Sequence, residues 1–213
     1  KVKVGMPGCD DLALLRKVRR LTGRRMELRI DANEAWSRSE LEAHDAAFSS
    51  LEIQSIEQPV AHASLTELKG IRGQLKAWVM LDESLCSYQD AEQAIAEGYC
   101  DAFNLRISKL GGLIPTFQIA LLAQQAGIHC QLGCQVGETG ILSAAGRQFA
   151  SHIRGIEFLE GSFDRYLLSQ NIINEEISFQ WGGKAPALKG PGLGVTVNAE
   201  RLSQFMQQEM QLI

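Results

Sequence analysis

No apolar run in this 213-residue sequence approaches the roughly 18 residues of a membrane span, so no transmembrane helix is expected. The chain opens Lys1-Val-Lys3-Val4-Gly5, without the apolar stretch or cleavage site of a signal peptide. It also lacks a basic excess. Lys and Arg total 21 against 25 Asp and Glu, for a net charge of −4, which leaves no electrostatic footprint for nucleic acid. Cysteine is scarce and odd in number, five at scattered positions, which points to reduced thiols and an expected cytoplasmic location. Cys130 and Cys134 form a C-x3-C pair with no further metal-type partners, and are read as core or pocket-lining residues. Phosphate cradles are missing as well. Gly5-Met-Pro-Gly8 is no dinucleotide fingerprint, and no Walker-type lysine loop occurs anywhere.

What is present is a rhythm. Apolar and β-prone runs at residues 1–4, 26–30, 51–56, 77–81, 102–107, 128–132 and 156–159 read as seven strands. Helices are expected between them at 10–23, 37–49, 64–74, 87–97, 112–126 and 139–151. Leu12, Leu15, Val18 and Leu21 give the first its apolar stripe, while Ser37 with Glu40 and Ser64 with Glu67 sit in capping-box positions. Strict strand–helix alternation implies parallel strands and right-handed crossovers. An open doubly wound sheet and a closed barrel both satisfy that pattern. Polar residues recur at the strand ends, and only a barrel gives every strand end a common mouth. The barrel is therefore expected over residues 1–165. Residues 166–213 are irregular and glycine-rich, with a last helix at 198–208, and are expected to fold back on the barrel.

Three of those strand ends carry acids: Asp31 in Arg29-Ile-Asp31-Ala-Asn33, Glu57 in Ser55-Ile-Glu57-Gln-Pro59, and Asp82 in Met80-Leu-Asp82-Glu-Ser84. They lie 26 and 25 residues apart, about one strand, one helix and two loops. Three hard oxygen donors on adjacent strands suit Mg2+, or Mn2+. The plain alternative is that each acid only caps the helix after it. Glu83 adjoins Asp82, but alternation allows only one of the two to face the ion. Lys1 and Lys3 are two apart on one strand and share a face. In a barrel mouth they are two ammonium groups beside the metal, one of them usable as a general base; otherwise they are a solvated terminus.

Taken in order, Lys-x-Lys-x-Gly, Asp-x-Asn-x-x-Trp, Ile-Glu-Gln-Pro, Asp-Glu-Ser, Lys-x-Gly-Gly and a late Pro-Gly-Leu-Gly resemble the enolase superfamily. The resemblance runs from Lys1 to about Gly194 and is greatest to the muconate-lactonizing subgroup, with its muconate cycloisomerases, o-succinylbenzoate synthases and dipeptide epimerases. It implies an α/β fold, a TIM-like (β/α)7β barrel with a separate N-terminal capping domain. It also implies metal-assisted removal of the proton α to a carboxylate. A Lys or His base with magnesium on the enediolate is the general pattern of this superfamily, taken over from the resemblance rather than deduced from these residues. Asp31, Glu57 and Asp82 would be the metal ligands, Lys3 the acid/base, and Lys1 its neighbour on the substrate carboxylate. Relative to the family pattern the chain lacks the first strand and the cap. It is therefore expected to be a fragment that works with its other half, and the rival expectation is a truncated, non-catalytic barrel. A homo-oligomer acting on a small carboxylate is expected.

Two departures bear on the reaction. The family's second catalytic lysine, 24 residues after the third ligand, is here Arg106, in Asn104-Leu-Arg106-Ile-Ser108-Lys109. Arginine stays protonated and is a poor base. Strand parity sets Asn104, Arg106 and Ser108 on one face and turns Lys109 away into the loop. One-base chemistry is therefore expected, a cycloisomerase or syn-dehydratase, with racemisation or epimerisation of an amino-acid derivative as the alternative. The dipeptide epimerases' Asp-x-Asp on the last strand is also missing, replaced by Leu159-Glu160-Gly-Ser. Asn33, Lys109, Gln135, Glu138 and Glu160 are the candidate substrate-binding residues, with helix capping the alternative for Glu138. His129 begins its strand far from the mouth and is read as structural.

Overall fold

The computed structural model describes residues 1–206. Seven strands form one sheet in sequence order, every neighbouring pair parallel. They are β1 (Val2–Lys3), β2 (Leu28–Asp31), β3 (Ile53–Glu57), β4 (Trp78–Leu81), β5 (Ala102–Leu105), β6 (His129–Leu132) and β7 (Ile156–Leu159). Among the described residues no strand joins β7 back to β1, so the sheet is a curled partial barrel rather than a closed one.

Helices α1 (Asp11–Thr22), α2 (Arg38–Ser50), α3 (Tyr88–Glu97), α4 (Leu113–Ala126) and α5 (Gly140–His152) cover the outer face. Their ends follow local chemistry. Ser37 and Glu40 form the expected capping box on α2, and Gly98 and Gly127 close α3 and α4 in the left-handed conformation. The stripe of α1 is narrower than its sequence suggests: Leu15 is buried, but Leu21 is exposed.

The expected helix at 64–74 does not form. His62–Leu68 is instead a kinked 3-10 segment, Ser64 has non-helical angles, and no side chain caps it. Glu67 is drawn elsewhere, accepting from the Arg38 backbone N–H. The segment between β3 and β4 is thus held by contacts with α2 rather than by its own caps.

Alternation gives the sheet two faces. Ile30, Ile56, Val79, Leu81, Leu105 and Leu132 join the main core with Leu15, Leu41 and Phe48 from the helices. Met80, Ala102 and Phe158 form a small cluster of their own, with Trp78 against it. At the C-terminal ends of β2 to β5 the polar Asp31, Glu57, Asp82 and Arg106 directly follow Ile30, Ile56, Leu81 and Leu105. Beyond β7 come α6 (Asp164–Leu167) and α7 (Ala199–Phe205). Ile173 and Ile177 of the intervening chain pack on Ala144 of α5, and Ile173 bridges to Val197. The last two positions of the helix expected at 198–208 lie outside the described residues. No helix among the described residues is long and apolar enough to cross a membrane.

Candidate active site

Parallel pairing sets the three acids in a row. Lys3 is in register with Asp31, and Asp31 with Glu57, while Asp82 directly follows Leu81 of β4. All three carboxylates are buried. Glu57 is held most tightly, accepting from Asn104 Nδ2 at 2.9 Å, Gln131 Nε2 at 3.1 Å and Lys1 Nζ at 2.9 Å. Asp82 is held by Gln58, whose Oε1 accepts from the Asp82 and Ser84 backbone N–H groups at 2.9 and 3.2 Å.

Two pairs of cations flank the row. At one end Lys3 Nζ donates to Asp31 Oδ2 at 2.6 Å and to Asn33 Oδ1 at 2.5 Å. Lys1 Nζ lies 3.5 Å from Asp31 Oδ2 and 2.7 Å from Glu160 Oε1. Burial opposes the Lys1 charge, but Glu57 and Glu160 together outweigh it and hold the ammonium well above the ordinary lysine range. At the other end Arg106 pairs with Asp82 and lies 3.6 Å from Glu57 Oε1. Lys109 Nζ is 2.7 Å from Asp82 Oδ1 and also meets the Asp82 carbonyl.

The place of Lys109 corrects the expectation from parity. β5 ends at Leu105, and residues 106–110 form a turn closed by the Leu110 N–H on the Arg106 carbonyl. Alternation stops with the strand, and the turn brings Lys109 back to the acids. Asn33 also reaches the row; its Nδ2 donates to Glu83 Oε1 at 3.0 Å, and its own φ is +42°. Glu160 is there through Lys1. Gln135 and Glu138 sit apart, in the turn after β6, where Glu138 Oε2 accepts from the Gln135 N–H at 3.0 Å. Burial raises the Glu138 carboxyl above its ordinary range. His129 stands where expected, stacked on Trp78 and paired with Glu157.

Three residues of this site are not marked by any motif: Asn104, Gln131 and Arg29. Arg29 donates to Gln131 Oε1, so that Gln131 turns its amide N–H towards Glu57. Inward parity at 29, 104 and 131 is the signal their sequence offers.

Do these residues suit a divalent cation? As they stand, no three acidic, His or Cys side chains among the described residues converge at ion-binding distance. What lies between the acids is cationic nitrogen. Lys1 Nζ is within 3.5 Å of both Asp31 and Glu57, and Arg106 reaches both Glu57 and Asp82. Positions already satisfied by positive charge, among buried hard oxygens, fit such an ion once those side chains withdraw.

The family described as enolase C-terminal domain-like matches residues 1–201. A hydrophobic dipeptide epimerase of Enterococcus faecalis is 35% identical over 147 residues, 68% of this chain and 42% of its own. A chloromuconate cycloisomerase of Cupriavidus pinatubonensis is 27% identical across the whole of this chain, which covers 57% of it. Among solved structures, a dipeptide epimerase from Cytophaga hutchinsonii complexed with Mg and D-Ala-L-Val superposes with a TM-score of 0.85 at 29% identity. The match covers 95% of this chain and 55% of that one. The chain thus spans about half the length of the relatives it matches.

Proposed function

This chain belongs to the enolase C-terminal domain-like family, and on that premise we propose that it removes the proton α to a substrate carboxylate, as an isomerase or lyase. The observation that carries the reading is the buried row Asp31, Glu57 and Asp82, at adjacent strand ends between two pairs of cations.

Asp31, Glu57 and Asp82 would hold a Mg2+ or Mn2+ ion, which would supply Lewis-acid stabilisation of negative charge building on the substrate carboxylate. Asp31, Glu57, Asp82 and Glu160 balance Lys1, Lys3, Arg106 and Lys109 in charge. With a dication added to that balance the mouth would be positive and receptive to an anionic substrate.

Lys3 is the proton acceptor in this reading. Its side chain is 57% exposed and can reach a ligand over the mouth, whereas that of Lys1 is 19% exposed. Lys1, fixed in its charged form by Glu57 and Glu160, orients the carboxylate rather than exchanging protons. The Arg106 guanidinium supports the developing charge from the far end of the row. This is one-base chemistry, cycloisomerisation or syn elimination.

A second reading, proton transfer at both faces as in a racemase or epimerase, is favoured by one observation. Lys109 brings an amine to the Arg106 end, opposite Lys3. Incubation in deuterated water with Mg2+ and a panel of muconates, N-succinyl amino acids and dipeptides separates the two. Solvent deuterium entering one stereoisomer alone supports the one-base reading, and exchange of both enantiomers assigns the second. No exchange and no turnover in any member overturns both.

A further inference from the structure

Helix α4 carries no charge. None of its 14 residues is Asp, Glu, Lys or Arg, in a chain where such residues make up 22%. Its inner face buries Thr116, Ile119, Ala120 and Ala123, yet its outer face is apolar too. Ile114 is 73% exposed, and Leu113, Phe117 and Leu121 are each 38–40% exposed. A helix that is apolar all round is ordinarily covered all round. α3 packs alongside and adds the exposed Tyr88 to the same outer surface. Of the acids on α3, Asp90 accepts from the Cys86 N–H and Glu97 pairs with Lys69. Glu92 is therefore the one charge on either helix without a partner among the described residues.

The place of this face in the sheet narrows what can cover it. α3 and α4 connect β4 to β5 and β5 to β6, in the interior of the strand order. Any segment that completed the barrel would meet β1 and β7, where Leu159, Phe163 and Tyr166 are exposed. It would leave the α3–α4 face open. Charge points to an identical molecule as the occupant. Each copy has a net charge of −4, so two copies approach at least cost through a face that is nearly free of charge. The exposed Gln118, Gln124 and Gln125 suit the same pairing, because an amide both donates and accepts and can bond to its own kind. Area agrees as well. At roughly 200 Å² for a fully exposed residue of this size, the five apolar residues leave on the order of 450 Å² open. With the glutamines of both helices the face approaches the about 800 Å² per partner of a standard interface.

We propose that the outer face of α3 and α4 is a homodimer interface, in which α4 of one copy packs on α4 of a second copy about a two-fold axis. The proposal is independent of the reading of the mouth.

The test is sedimentation velocity of the whole chain over a dilution series, with Ile114→Glu, Phe117→Glu and Leu21→Glu variants beside the parent. The parent is expected as a dimer of twice 23.4 kDa. Ile114→Glu and Phe117→Glu each set like charges against each other across the two-fold axis and should weaken dimerisation at least a hundredfold. Both positions face solvent in the single chain, and either variant carries the test if the other fails to fold. Leu21→Glu, at an exposed apolar position on α1, should leave the dimer unchanged. A parent that stays monomeric throughout overturns the proposal and leaves the face to a different protein. A dimer that survives both α4 variants, or one that Leu21→Glu breaks equally, overturns it too and puts the contact elsewhere.

Discussion

Lys1 Nζ lies 2.7 Å from Glu160 Oε1, so the cation ahead of β1 meets the acid after β7 across the side where those strands are unpaired. The same nitrogen donates to Glu57 at 2.9 Å. One ammonium therefore ties the two edges of the sheet to its central acid.

That tie is asymmetric, and stability should show it. Glu160→Gln removes one of three acidic partners of Lys1 and is expected to cost ~1 kcal/mol. Lys1→Met leaves the buried Glu57 without its cation and is expected to cost ~3 kcal/mol. Urea unfolding of both variants checks the order, and equal losses would show that Lys1 does not hold Glu57.

At the other end of the row, Lys109 competes with any metal for Asp82. Removing a positive charge beside a cation site favours the cation. Lys109→Met is accordingly expected to bind Mg2+ about tenfold more tightly, ~1.4 kcal/mol. Titration calorimetry reads this directly, and weaker binding would make Lys109 a support of Asp82 rather than its competitor.

Gly133 is a close-approach glycine. A Cβ there would collide with the Asn104 side chain, which donates to Glu57 Oε1. Gly133→Ala should displace Asn104, cost ~1–3 kcal/mol, and weaken Mg2+ binding as well. Loss of stability with unchanged metal affinity would separate Asn104 from the site.

These sites show where the sequence was readable. Asp31, Glu57 and Asp82 are legible because each ends a strand whose pattern is local, and parallel neighbours align such ends. Lys109 was misplaced because period-two reasoning ran past Leu105, where the strand stops. The Ser64–Glu67 pattern was sound as a local signal, yet Arg38 of α2 takes Glu67, a partner 29 positions away that spacing cannot reveal. Arg29 and Gln131 share that difficulty. Parity turns them inward, but their roles arise from what faces them across the sheet.

The thiols give a pH prediction. Burial pushes Cys130 up to about 12, and burial with Glu138 and Glu160 nearby pushes Cys134 up to about 11. The folded state thus keeps protons that the unfolded chain loses from about pH 8.5. Their contribution to stability is full below that pH and falls as pH rises towards 12. Alkylation at pH 8 should label the exposed Cys9 and Cys86 and spare Cys100 and Cys130 until the chain unfolds. Native labelling of Cys130 would place it outside the core.

The most direct test of the central claim is calorimetric titration of Mg2+ into the protein and into its Asp82→Asn and Glu57→Gln variants. One binding site in the parent, lost or weakened at least a hundredfold in both variants, is the predicted result. Equal Mg2+ binding by all three proteins, or none by the parent, would contradict a metal site built from Asp31, Glu57 and Asp82.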